Sequence, residues 1–187
     1  MALEEMEKRE LLRIARGAIE ARAGRTSAST KKDNASGALN EDSGTFVTLN
    51  RKGRLRGCLG VFASEDPLWK TVERMASAAA SEDPRFAPVG EDELPEIDIE
   101  ISVLTPLRKI DDPEEVEVGR HGLVVASGNK RGALLPQVAV EHGLDRETFL
   151  SETCVKAGLK PDAWKEGASI YVFEAEVFGE KVKDKVL

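Results

Sequence analysis

Two cysteines and two histidines are the residues of this 187-residue chain to which thiol, soft-metal or imidazole chemistry would have to belong. Cys58 stands in "RKGRLRGCLG", residues 51–60, a decapeptide with four cationic side chains and three glycines. Read as a strand, it alternates, with Arg54, Arg56, Cys58 and Gly60 on one face and Leu55, Gly57, Leu59 and Val61 on the other. The apolar set marks the second face as the core side, so Cys58 is expected outside it, in line with two guanidiniums. A guanidinium near a sulfur favours the thiolate, the form that acts as nucleophile or metal ligand. Gly57 and Gly60 would let a ligand or a neighbouring backbone close on the thiol, and the arginine forks suit a carboxylate or phosphate. The pattern suits an anion site containing a reactive sulfur. The competing account is a solvated pair of arginines, with a bulge at Gly57 returning Cys58 to the core.

A thiol nucleophile needs a base within reach. His121, in "GRHGLVV", sits between glycines at the mouth of an expected strand and is the candidate. His142, in "VEHG", ends an expected helix, where an imidazole complements the dipole. Two cysteines and two histidines formally make a zinc set, but no two lie close in sequence as structural zinc modules require, so no metal is expected. Phosphate-loop, dinucleotide-loop and serine-elbow motifs do not occur, which leaves no support for nucleotide-dependent or serine-hydrolase chemistry and no cofactor expected. In "SEDPRF", Glu82 and Asp83 at a helix end invite a cation, either Arg85 or a hairpin arginine. Asp98 and Glu100 could serve as base or arginine partner, or be a wet strand face. Gln137, in "LLPQV", could orient a ligand amide or cap the following helix.

The elements that must position these residues are legible from periodicity. Leu11, Leu12, Ala15, Ala18 and Ile19 predict an amphipathic helix. Residues 22–43 turn polar and small, and are expected to form a mobile surface loop. "GTFVTLN" and "RLRGCLGVF" predict a hairpin turning at "NRKG". Asp66 and Pro67 are expected as N-cap and first residue of a helix with Leu68, Val72, Met75, Ala76 and Ala79 inward, ended by Pro84. The small run Ala78 to Ala80 allows close packing against that helix. "IDIEISVLT" alternates as a strand, with Asp98, Glu100 and Ser102 opposite its isoleucines. "PLRKIDDPEEVEVG" is the expected subdomain boundary. A second hairpin turns at "SGNK", a helix runs from Asp145 to a stop at Gly158, and "SIYVFEAEVF" is a final strand. The interspersed order predicts an α+β fold with a mainly antiparallel sheet flanked by helices.

Composition narrows the partners. With 27 basic and 34 acidic residues the net charge is −7, and aromatic residues are 5%, none inside the basic stretch. Both facts argue against nucleic acid as partner. No run approaches the length of a membrane span, and the N-terminus, charged from its fourth residue, does not resemble a signal peptide. Two distant cysteines are then expected as free thiols in a reducing cytoplasm.

"GRLRGCLG" resembles the signature of the AMMECR-type domain, a family named from a human chromosomal region linked to Alport syndrome, midface hypoplasia and elliptocytosis. "ASEDPRFAPV", "ELPEIDIEISVLTP", "GRHGLVV", "LLPQVAVEHGLDRETFL", "KAGL" and "YVFEAEVF" are similar to family segments, in order, over essentially the whole chain. The resemblance implies a single AMMECR-type domain over residues 1–187, with two unequal lobes and the cysteine motif at a cleft between them. It carries Arg56, Gly57, Cys58 and Gly60 over as signature positions, and Asp83, Arg85, His121 and Gln137 as secondary ones. Leu59 stands where isoleucine is common, a conservative change. The residues point to a thiol-dependent enzyme or carrier for a small anionic substrate, with Cys58 as nucleophile, Arg56 as anion clamp and His121 as base, and the resemblance implies a pathway with Memo-like and radical S-adenosylmethionine proteins. The alternative is a non-catalytic binding or scaffold module for a partner protein.

Overall fold

The computed structural model describes residues 3–24 and 37–180. The chain forms two compact units, one containing the described residues up to Leu104 and again from Glu176, the other Thr105–Ala175. The division falls at the start of the Pro-interrupted connection, as its composition predicts.

In the first unit, helix α1 (Glu5–Arg22) buries Leu11, Ile14, Ala15 and Ile19, residues spaced by three and four. Strands β1 (Thr45–Arg51) and β2 (Arg54–Val61) pair antiparallel. Lys52 (φ 52°) and Gly53 (φ 76°) make their two-residue turn, both in the left-handed region that such a hairpin needs. Helix α2 (Leu68–Ser81) and strand β3 (Ile97–Leu104) follow, and strand β8 (Ala175–Gly179) completes a sheet of order β2-β1-β3-β8. Val47, Leu49, Ile99, Ile101 and Val103 form one core with Leu11 and Ile19 of α1 and Val72, Met75, Ala76 and Ala79 of α2.

Strand β4 (Arg108–Ile110) opens the second unit, followed by β5 (Gly122–Ser127), β6 (Lys130–Leu134), α3 (Pro136–Glu141), α4 (Arg146–Lys156) and β7 (Ser169–Phe173). Its sheet has order β4-β7-β5-β6, with all neighbouring pairs antiparallel. Asp145 caps α4 by accepting from Thr148 N, and Gly158 (φ 71°) ends it. Ile110, Leu123, Ile170 and Val172 from the sheet pack with Phe149 and Leu150 of α4. The α+β class with antiparallel sheets is thus as expected.

Several expectations change. Helix α2 begins one residue later than Asp66 and Pro67 predict, because Pro67 has an extended ψ of 144° and takes the cap position. Asp66 turns its carboxylate to Lys70 instead, 2.6 Å away. Ser102 is buried, so only Asp98 and Glu100 keep the half-exposed face of β3. The expected last strand is two strands in different sheets, separated at Glu174, whose N–H donates to Thr105 Oγ1 and whose carbonyl accepts from Thr105 N. Of the expected loop 22–43, residues 25–36 lie outside the described residues. Its far end is packed: Gly37–Asn40 forms a 3-10 turn that buries Leu39, and the Ser43 hydroxyl donates to Leu104 O.

Leu55 is the most informative difference. It is exposed rather than core-facing, because Leu49 pairs with Gly57 while Asn50 pairs with Leu55, leaving Arg56 without an opposite residue. Arg56 is therefore a bulge, and everything before it is out of phase with everything after it.

Candidate functional site

Cys58 lies on edge strand β2 directly opposite Thr48, and Thr48 in turn lies opposite Glu100 on β3. Cys58, Thr48 and Glu100 make one row on the sheet face away from Leu49, Leu59 and Ile99. The thiol is half-buried, and the Thr48 hydroxyl donates to Sγ at 3.3 Å. Cys58 is thus outside the helix-covered core, as expected. The other thiol, Cys154, is buried in α4, and burial pushes its pKa up.

An edge strand exposes backbone groups that need partners. Here the loop after α2 supplies them. Cys58 N donates to Asp83 Oδ2 at 2.9 Å, and Arg85 Nη2 donates to Cys58 O at 3.4 Å. Asp83 is buried, and Arg85 grips it through Nε and Nη2 at 2.9 and 2.7 Å. That guanidinium, helped by the N–H groups of Cys58 and Arg85, holds the Asp83 carboxyl well below the usual carboxylate range although burial opposes it. Arg85 keeps about half of its side chain in solvent, and its Nη1 makes no hydrogen bond among the described residues. The guanidinium beside Cys58 is therefore that of Arg85.

The two hairpin arginines go elsewhere. Arg54 pairs with Arg51, on the far side of the bulge and out of line with Cys58. Arg56 forks onto Glu93, with Nε to Oε1 at 3.1 Å and Nη2 to Oε2 at 2.7 Å, and donates from Nη1 to Ala87 O at 2.9 Å. Arg56 pulls the Glu93 carboxyl down to about 2, with lesser help from Gly90 N–H and Arg51. The expected anion clamp is thus a staple for residues 87–93.

Neither glycine opens space for a ligand. A Cβ on Gly57 would stand 2.2 Å from Ala79 O, and one on Gly60 would stand 2.4 Å from Phe46 ring carbons. Gly57 lets β2 lie against the small face of α2, and Gly60 lets the Phe46 ring cross the sheet beside it. His121 and Gln137 belong to the second unit. His121 is buried, and its Nδ1 accepts from Glu117 N at 3.1 Å. Gln137 is inside α3 rather than capping it, and its buried Oε1 has no partner among the described residues. His142 caps the C-terminus of α3, the structural role its position implies.

Sequence reading names Cys58, Asp83 and Arg85 separately and offers Arg85 as one partner for Asp83, but does not set that pair beside Cys58, and it misses Thr48 and Glu93. Thr48 was recoverable only through the hairpin register. Glu93 stands in the acidic "EDELPE" turn before β3, where a carboxylate partner for a partly buried arginine could have been sought. Among the described residues no group of three or more His, Cys, Asp or Glu could hold a metal, and no helix is long and apolar enough to cross a membrane.

Fold and site together define a class: an α+β protein of two antiparallel sheets with a half-exposed thiol on an edge strand closed by an Asp–Arg pair. Residues 12–178 match the AMMECR1 family model. The chain is 43% identical over 181 residues to a protein of Methanothermobacter thermautotrophicus, covering 93% of this chain and 94% of that one. It is 47% identical over 184 residues to a protein of Pyrococcus furiosus, covering 91% and 87%. The crystal structure of an uncharacterised protein from Pyrococcus horikoshii superposes with a TM-score of 0.84 at 43% identity, over 92% of this chain and 90% of that chain. The chain belongs to the AMMECR1 family.

Proposed function

We propose that the protein acts through Cys58 as a reactive-thiol site, a thiol-dependent enzyme or carrier for a small anionic substrate. The observation that carries this is the joint placement of a half-exposed Sγ, the Thr48 hydroxyl donating to it, and the half-exposed Arg85 guanidinium hydrogen-bonded to the cysteine's own carbonyl. A hydroxyl donor stabilises sulfur as it gains negative charge. The unused Nη1 of Arg85 can receive a carboxylate or phosphate. Arg85 takes the anion-holding role expected of Arg56. His121 is not kept as the base expected of it, since its Nδ1 lone pair already accepts from Glu117 N–H. A thiol used this way has to stay reduced, which fits a cytoplasmic setting, with Memo-like and radical S-adenosylmethionine proteins as proposed pathway partners.

The experiment is the pH dependence of alkylation at each cysteine of the native protein, read by mass spectrometry. Cys58 is expected to react at lower pH and at least tenfold faster than Cys154, whose burial blocks it. Equal inertness of the two would sink the reading. A binding or scaffold role then remains, favoured by one observation: Arg56 and Arg85 each already hold a carboxylate, as a recognition surface without turnover can tolerate.

A further inference from the structure

We infer that the anionic substrate of Cys58 carries an apolar group that lies along strand β2, on the face of the sheet that bears the thiol. This rests on the reactive-thiol reading of Cys58 and names the substrate class which that reading leaves open, an amphiphilic acid.

The bulge at Arg56 is what makes the surface apolar. Asn50, Thr48 and Phe46 alternate along β1 on one face, and residues directly opposite one another share a face, so Leu55, Cys58 and Gly60 of β2 stand there too. Unbroken alternation would turn Leu55 to the other side. The extra residue brings it onto the face of the thiol, where it is 43% exposed. Beyond Cys58, the half-exposed Phe46 ring fills the space of the missing Gly60 side chain, with Cγ and Cδ1 2.4 Å from where a Cβ would stand. The half-exposed Phe62 ring meets it edge-on, 4.9 Å between centroids. Two strand residues span about 7 Å, so this aromatic pair begins one step along from Sγ. The half-exposed thiol thus interrupts an apolar stripe, with Leu55 before it and Phe46 and Phe62 after it.

Single exposed apolar side chains are ordinary, but three in line with a thiol are not a solvated strand face. The cations of this stretch are turned off the stripe: Arg54 stands opposite Arg51 beyond the bulge, and Arg56 forks onto Glu93. The charge that stays beside the thiol is Arg85, at the strand edge on Cys58 O. A substrate that pairs its anion with Arg85 and covers the stripe with its apolar group satisfies both. A small hydrophilic acid would leave the stripe wet, and a purely apolar molecule would leave Arg85 Nη1 unused.

The test is the rate of Cys58 alkylation in the full-length protein by four iodoacetamides. These are the N-methyl and N-benzyl compounds and the carboxylate-bearing counterpart of each, N-iodoacetylglycine and 4-(iodoacetamidomethyl)benzoate. In every case the thiolate sulfur bonds the CH2 carbon and iodide leaves. Rates are read at Cys58 by mass spectrometry and divided by those of 2-mercaptoethanol with the same reagent, which removes the reagents' own reactivity. The corrected rate for benzyl should exceed that for methyl by about tenfold, and the benzoate should be fastest of the four. Leu55→Ser should remove most of the benzyl advantage, whereas Val155→Ser, at an exposed valine of α4, should leave it in place. Equal corrected rates for methyl and benzyl at a Cys58 that reacts overturn the proposal and leave the thiol reading standing. No gain from the carboxylate overturns the acid class. Inertness of Cys58 to all four reagents sinks the thiol reading and this proposal with it. The wild-type comparison decides even if Leu55→Ser fails to fold.

Discussion

The backbone N–H of Cys58 donates to the buried carboxylate of Asp83 across 2.9 Å, and the same carboxylate is gripped by Arg85. This one relationship closes an open sheet edge, fixes the loop after α2 and sets the only described guanidinium hydrogen-bonded to the cysteine. Its consequences can be measured.

Asp83→Asn removes the charge while keeping the shape. We expect a loss of about 2 kcal/mol in urea unfolding, since Arg85 loses its partner but can turn to solvent. Asp83→Ala should cost more, because Cys58 N–H is then left without an acceptor. Equal stability of wild type and Asp83→Ala would show that the edge finds another partner.

Gly57→Ala should destabilise by about 3 kcal/mol, at the upper end for overpacking, because the added carbon meets a helix carbonyl 2.2 Å away rather than a movable side chain. Gly128→Ala is the control. Its surroundings are open and only its φ of 59° is disfavoured, so about 1 kcal/mol is expected. Thermal unfolding of both variants tests the contrast.

Acid should act through Glu93 and Asp83. The Glu93 carboxyl is lowered from an ordinary 4.5 to about 2 by Arg56 first, and Asp83 is lowered by Arg85 first. A depressed folded-state pKa contributes stability that is complete above the unfolded value and is lost as pH falls through the folded one. Unfolding free energy should therefore hold from pH 7 to about 5 and fall from about 4.5 towards 2. Glu93→Gln should flatten that fall, and an unchanged slope would refute the assignment.

Arg56 and Arg85 should separate in their effects. Arg56→Met leaves Glu93 to Arg51 alone and should cost about 2 kcal/mol of stability, with Cys58 alkylation little altered. Arg85→Met should slow Cys58 alkylation at neutral pH severalfold. Reversal of this order would return the anion-holding role to Arg56.

Much of the fold was legible because local physics dictates it. The isoleucine alternation of β3, the three-and-four spacing of α1, the cap at Asp145 and the Lys52-Gly53 turn each follow from their own residues and appear where expected. The split of the last strand at Glu174 was not legible, since a continuous apolar pattern does not say which sheet each half joins.

The thiol shows the boundary most clearly. Sequence alone determined that Cys58 would be the chemically notable residue and that its neighbours would alternate. It placed the cysteine off the core by counting an unbroken strand in line with Arg54 and Arg56. Extending the pairing of Arg51 with Arg54 without interruption would instead set Cys58 opposite Val47, on the buried face. Only the bulge at Arg56 moves it opposite Thr48, and that bulge is held by Glu93 and by Gly57 against Ala79, residues 37 and 22 positions away. Alternation is a property of neighbouring dihedrals and can be read along a chain. A one-residue slip is decided by contacts that exist only once the chain has folded.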